Sequence, residues 1–212
     1  MDVLVLMAQG QEGISLFINL GQNRFEEQII AQQHPAWGFS HLELIDLNRD
    51  GELDLLITNG DNGENTSVAN GLKPYHGIRL YLNQGKGRFA EAWFYPMHGA
   101  YRALGRDFDL DGDLDIAAIA YFPNFMGGTK EAFVYLENQT EGGADLRFSA
   151  STFPQSLAGR WITMDAGDLD GDGDADIVLG ASNRSFADVP KALAETWAAN
   201  GPPFLYLENL AR

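Results

Sequence analysis

Fourteen of the 30 acidic residues in this 212-residue chain fall in three nine-residue segments that share one pattern. They read DLNRDGELD at 46–54, DFDLDGDLD at 107–115 and DLDGDGDAD at 168–176, with starts 61 residues apart in both intervals. Oxygen donors at alternating positions of a tight loop turn toward one centre, and that is how a hard cation with six to eight oxygen ligands is held. The pattern therefore predicts three calcium loops. Asp46, Asn48 and Asp50 would supply the side chains at positions 1, 3 and 5 of the first loop. Asp107, Asp109 and Asp111 match them in the second, and Asp168, Asp170 and Asp172 in the third. Gly51, Gly112 and Gly173 permit the sharp turn at position 6. The backbone carbonyls of Glu52, Asp113 and Asp174 are the expected position-7 ligands, and Asp54, Asp115 and Asp176 close each loop at position 9.

An EF-hand fails on two counts. Its loop requires Glu at position 12, where this chain has Ile57, Ala118 and Leu179. Its loop also leads into a helix, whereas these segments run into LLITNG, IAAIAY and IVLGAS. Such short, apolar, partly β-branched runs read as buried strands. A metal-free acidic turn is the plain alternative, but carboxylates crowded together repel and raise one another's pKa unless a cation offsets them.

The elements that position the loops follow from the same period. A second strand with a recurring ending appears in ISLFINLGQNRF (14–25), IRLYLNQGKGRF (78–89), AFVYLENQTEG (132–142) and PFLYLENL (203–210). A third follows near RFAEAWF and LRFSASTF, and a fourth leads into each loop as HLELID, RALGRDF and WITMDAGD. Four short antiparallel strands per repeat predict an all-β chain of β-propeller blades. Asp2 aligns with position 9 of a further loop. The expected layout is a partial blade at about 2–30, blades at about 40–94 and 101–154, and a partial blade at about 161–210, with strands in the pattern three, four, four, three. That is about 3.5–4 blades, the C-terminal part of a larger propeller or a ring completed by a partner. Open ends expose unpaired edges, so self-association is expected unless missing blades cover them.

Composition narrows the partners. The chain has 14 Lys and Arg and a net charge of −16, which three calcium ions would bring to about −10. Without a basic stripe, nucleic acid is excluded as a partner. No apolar run spans a membrane, Met1 is followed at once by the strand-like DVLVLM rather than a signal peptide, and the absence of Cys excludes disulfides. N-x-Ser/Thr triplets start at Asn65, Asn138 and Asn183, at a frequency chance explains.

In a blade of this kind the long loops lie on the face opposite the acidic ones. They span Asn59 to Gly77, YFPNFMGGTKE (121–131) and SNRSFADVPKALAETWAANGPP (182–203). In the last, Asp188 is expected to cap a short helix with Pro190 in its first turn and Gly201 beyond its end. Long loops in compact domains often carry function. The candidate ligand face comprises Trp37, Tyr75, His76, His98, Tyr101, Arg102, Tyr121, Phe125, Arg160 and Trp197. Aromatic rings beside Arg and His suit sugars, although rings at blade junctions more often pack between blades, and Trp197 is expected to pin its helix. His34 and Trp161 join the inter-blade segments, and His41 reads as structural. No His metal spacing or nucleophile–base pair is legible, and the carboxylates are already committed to calcium, so the reading leans away from an enzyme. A His98/Tyr101/Arg102 cluster acting as a uronate lyase is the catalytic alternative.

The segment MDAGDLDGDGDADIVLGAS (164–182) resembles the FG-GAP/VCBS repeat, the calcium-bearing blade of integrin-α-type propellers, and LYLNQGKGRF resembles its VCBS form. The Phe-Gly element is echoed by Trp37-Gly38 and the Gly-Ala-Pro element by Gly180-Ala181-Ser182, and Asn48 replaces an acid. The resemblance implies a calcium-binding propeller, commonly seven-bladed and extracellular or periplasmic. Its expected work is adhesion or recognition of carbohydrate or protein. The alternatives are a propeller part of a polysaccharide-active lyase or hydrolase, or a structural scaffold.

Overall fold

The computed structural model describes residues 1–62, 72–127, 131–141, 145–182 and 189–211. Apart from one helix, every regular element is a strand. Strands β1 (Val3–Met7), β2 (Glu12–Gly21) and β3 (Arg24–Gln33) form the first sheet, in that order. β4 (Phe39–Ile45), β5 (Asp54–Asn59), β6 (Gly77–Asn83) and β7 (Phe89–Pro96) form the second. β8 (Ala100–Arg106), β9 (Asp115–Ala120), β10 (Phe133–Asn138) and β11 (Phe148–Ser151) form the third. β12 (Trp161–Gly167), β13 (Asp176–Ala181) and β14 (Phe204–Leu207) form the fourth, with α1 (Lys191–Asn200) between its last two strands. All pairings are antiparallel between neighbours. Each sheet is blade-like, with the strand pattern expected from the period.

The strands after the first two acidic loops, β5 and β9, are buried on both faces, which is why they read as continuous apolar runs, and β13 buries mainly the face toward the third sheet. In β5, Leu55 and Ile57 pack with Ile14, Leu4 and Leu6 of the first sheet. Leu56 points the other way, into a cluster with Ile78, Leu80, Ile116, Ala118, Val134 and Leu136. Ala117, Ile119 and Phe133 of the third sheet meet Trp161, Ile177 and Leu179 of the fourth. Each large side chain buried at these seams contributes roughly 1.5–3 kcal/mol. The leading strands of the third and fourth sheets also pack on the preceding sheet, β8 on β4 and β12 on β8. The row of blades does not close: among the described residues no comparable packing joins the fourth sheet to the first.

Two glycines set the turns opposite the acidic loops. Gly38 (φ 81°) and Gly99 (φ 69°) have no room for a Cβ, which would strike the backbone of Asp61 and Phe122 respectively. Their carbonyls accept N–H groups from the end of the next strand, Gly38 from Gly60 (2.7 Å) and Gly99 from Tyr121 (3.0 Å). Arg160 plays that part in the fourth sheet, accepting from Ser182 N at 2.8 Å.

Sequence boundaries erred in a few places. Trp161 opens β12 rather than lying in an inter-blade segment, and Tyr101 and Arg102 lie within β8, because leading strands begin directly after the turn. Pro190 is the helix N-cap rather than a first-turn residue, and Gly201 N closes the far end on Trp197 O. Asp188, Asn65 and Asn183 lie outside the described residues.

Candidate metal centre and the opposite face

The three acidic loops share one backbone shape. Position 4 is left-handed in each, at Arg49 (φ 59°), Leu110 (φ 62°) and Gly171 (φ 86°), and so is position 6, at Gly51 (φ 89°), Gly112 (φ 95°) and Gly173 (φ 100°). Side-chain oxygens at position 3 accept the N–H of position 5: Asp50 N on Asn48 Oδ1 (3.0 Å), Asp111 N on Asp109 Oδ1 (3.1 Å), Asp172 N on Asp170 Oδ1 (3.1 Å). Position 5 in turn accepts the N–H of position 7, with Asp50, Asp111 and Asp172 as acceptors at 2.8–3.2 Å. These short Asx turns curl the chain so that alternate carboxylates converge.

Carboxylate oxygens of Asp107, Asp109 and Asp111 lie within 4.8 Å of one another, as do those of Asp168, Asp170 and Asp176. Asp46 Oδ1, Asp107 Oδ1, Asp113 Oδ1 and both oxygens of Asp174 are buried without a hydrogen-bond partner among the described residues. Orphaned buried carboxylate oxygens are costly, and an oxygen-seeking divalent cation is the group that would satisfy them. The electrostatics agree. Burial, then Asp111, Asp115 and Asp109, push the Asp113 carboxyl up to about 6, with the Arg49 guanidinium opposing. Burial, then Asp172, Asp176 and Asp170, raise Asp174.

Position 9 does something the sequence did not reveal. Asp54, Asp115 and Asp176 are fully buried, and each spans two backbone segments. One oxygen accepts the N–H of loop position 2, from Leu47 (3.1 Å), Phe108 (3.3 Å) or Leu169 (3.0 Å). The other accepts the N–H of an Asn at the end of the third strand, Asn83 (2.8 Å), Asn138 (2.8 Å) or Asn209 (2.9 Å). That Asn returns the bond, donating Nδ2 to the residue before the Asp: Leu53 O (3.0 Å), Leu114 O (3.1 Å) or Ala175 O (3.2 Å). The first sheet repeats the arrangement, with Asn19 N on Asp2 Oδ1 (2.8 Å) and Asn19 Nδ2 on Met1 O (3.1 Å). Asn209 Nδ2 also reaches Phe108 O of the preceding blade at 2.6 Å. The shared Asn of the four strand endings was the available signal. Asp54, Asp115 and Asp176 thus serve the backbone whether or not they also touch a cation.

On the opposite face, most candidate ligand residues are packed. Trp37 stacks on Tyr75 (4.8 Å between centroids, 2° apart), and the Arg79 guanidinium lies 4.9 Å from the Trp37 ring and 4.1 Å from Phe94. Tyr75 OH donates to Ala36 O at 3.0 Å. Arg160 is buried with its guanidinium 3.9 Å from the Tyr121 ring and Nε donating to Tyr121 O (2.9 Å). Trp197 donates Nε1 to Leu157 O (2.8 Å) and meets Phe125 edge-on, fastening α1 to the third blade's side. His76, Tyr121, Arg160 and Trp197 are each at most 4% exposed, so they support this face rather than line it. His98, Tyr101 and Arg102 remain half-buried. A cavity of about 260 Å³ opens on this side between the first and second sheets, lined by Gln9, Glu12, His34, Pro35, Ala36, Gly38, Asp61 and Lys73.

With repeated loops, clamps and blades in place, one stretch can be compared with a known family. Residues 107–179 match the family model of the FG-GAP-like repeat. The match runs from the first acid of the second loop, through the rest of the third blade, into β13. No curated protein matches the chain. Among solved structures, one described as the structural basis of specific recognition of non-reducing terminal N-acetylglucosamine by an Agrocybe aegerita lectin is 16% identical, with a TM-score of 0.44. That match covers 84% of this chain and 46% of the other, so the chain spans less than half of its length. Among the described residues no helix is long and apolar enough to cross a membrane.

Proposed function

We propose that this chain is a calcium-stabilised propeller module that recognises a carbohydrate or protein on the face opposite its metal loops. The orphaned, buried oxygens of Asp46, Asp107, Asp113 and Asp174 carry the calcium part of this reading. Calcium ties the turn between the first two strands of a blade, and the residues that would hold it are the loop carboxylates and the Asn48 amide. Its contribution is structural, adding stability to the native state by mass action. Recognition falls to the cavity between the first two sheets, lined among others by Gln9, His34 and Asp61. The setting is extracellular or periplasmic, where calcium is abundant.

The test has two parts. Removing calcium with a chelator at neutral pH lowers the melting temperature, and an unchanged melt sinks the metal reading. A glycan array reads binding that Asp61→Asn and His34→Ala abolish, and a blank array removes the carbohydrate reading.

A scaffold role is the second reading, favoured by the packed rings of Trp37, Tyr121 and Trp197. Phe204 and Tyr206 of β14 are 64% and 39% exposed, although Ile78 and Leu80 at the same register positions of β6 are fully buried against the next blade. Further blades or a second copy would cover that face, and light scattering reports self-association directly.

A further inference from the structure

The three loops share a backbone but not an interior. In the third loop all five odd positions are Asp, and Asp174 at position 7 is 2% exposed with neither carboxylate oxygen bonded. In the second, Asp113 at the same position also buries an unbonded Oδ1. The first differs in three ways. Glu52 at position 7 is exposed to solvent. Asn48 replaces an acid and donates Nδ2 to Asp50 Oδ2 at 3.0 Å, so a neutral donor already offsets part of that loop's charge. Position 4 is Arg49, whose guanidinium reaches the next loop, where a methyl built on Gly112 would sit 3.7 Å from Nη2.

Apart from the outward Glu52, the first loop holds three acids and one resident cation, against five acids in each of the others. Affinity in oxygen-ligand loops follows the charge count and rigidity of the ligands. We infer that the loops form a graded set of cation sites, tightest at the third and weakest at the first. In this scheme the Asp174 side chain is a ligand of the third loop, and Arg49 is a built-in counter-charge over the first two. The inference rests on the calcium reading above and adds which loop fills first and why. It also places the Asp174 carboxylate, rather than only its backbone carbonyl, against the ion.

Calorimetric titration of chelator-stripped full-length protein with Ca²⁺, paired with melts with and without Ca²⁺, tests it. Wild type shows at least two affinity classes. Asp174→Asn weakens the tightest class by tenfold or more and raises the metal-free melting temperature, because an unpartnered buried charge has gone. These opposite signs separate a ligand from a merely structural residue. Arg49→Gly, which the left-handed backbone accommodates as Gly171 does in the third loop, tightens the weaker classes about two- to tenfold, as expected for removing one charge near a divalent ion in screened water. It leaves the tightest class unchanged. Three indistinguishable sites, or a tightest class unmoved by Asp174→Asn, overturn the gradation while leaving calcium binding in place. Absence of any binding overturns both.

Discussion

The Asp–Asn clamp gives a sharp quantitative test, because the same pair of side-chain bonds recurs in different surroundings. Asn138→Ala removes the bond from Nδ2 to Leu114 O (3.1 Å) and the one that Oδ1 accepts from Thr140 N (3.0 Å), at a residue only 6% exposed. Its own backbone N–H still reaches Asp115 Oδ1, so that part of the clamp survives. Each lost bond is worth about 1 kcal/mol net, and a carbonyl and an amide left poorly solvated add to it, giving a loss of about 2–3 kcal/mol. Asn19→Ala removes the equivalent bonds, to Met1 O (3.1 Å) and from Gly21 N (2.8 Å), but in the open, where water replaces them. There the loss is about 0.5 kcal/mol. For a chain of this size the melting temperature falls by about 5–10 °C in the first variant and about 1–2 °C in the second. Thermal and urea melts in chelator, which remove any metal contribution, make the comparison. Equal losses in the two variants would refute the argument that burial decides the value of the clamp.

Two further outcomes follow from particular side chains. Burial, then Lys73 and His98, hold the His76 imidazole down at about 3, so the folded protein keeps it neutral while the unfolded chain takes up a proton near 6.5. Stability from this group is therefore present above pH 6.5 and lost as pH falls toward 3. The slope reaches about 1.4 kcal/mol per pH unit. Urea melts of His76→Gln in chelator across pH 6.5 to 4.5 should show a flatter pH dependence than wild type, and an identical slope rejects the assignment. Leu110 holds φ 62° with its side chain 48% exposed, where the third loop has Gly171. Leu110→Gly relieves that backbone at some cost in chain entropy and gains about 0.5–1 kcal/mol; a loss in a chemical melt would mean that Leu110 packing outweighs the strain.

The loops were legible because their chemistry is local. Alternating acids around Gly51, Gly112 and Gly173 encode a turn within nine residues, and the apolar runs after them encode strands, the first two of them covered on both faces. The clamp was not, although its Asn stands in every strand ending. Its partner lies 29 residues away for Asp54 and Asn83 and 33 for Asp176 and Asn209, and only the folded sheet brings them together. The packing of several rings on the opposite face was hidden for a related reason. Trp37, Tyr121 and Arg160 have the types expected of a binding surface, but Arg79 and Arg160 place their guanidinium groups against those rings inside the seams. Residue type cannot separate a stacking platform from a packed junction. The left-handed backbone at Arg49 and Leu110 was equally hidden, since only the third copy has the glycine that announces it.

Each clamp closes within its own sheet, across 17 to 33 residues of chain rather than between distant blades. Assembly therefore need not wait for distant ends to meet. A blade can zip from its acidic turn outward, then offer its flat apolar side as a template for the next, so order spreads along the row as it does in other linear arrays. Docking of one finished blade on another then adds the apolar seam between them. The tie from Asn209 to Phe108 O marks where the fourth is latched to the third.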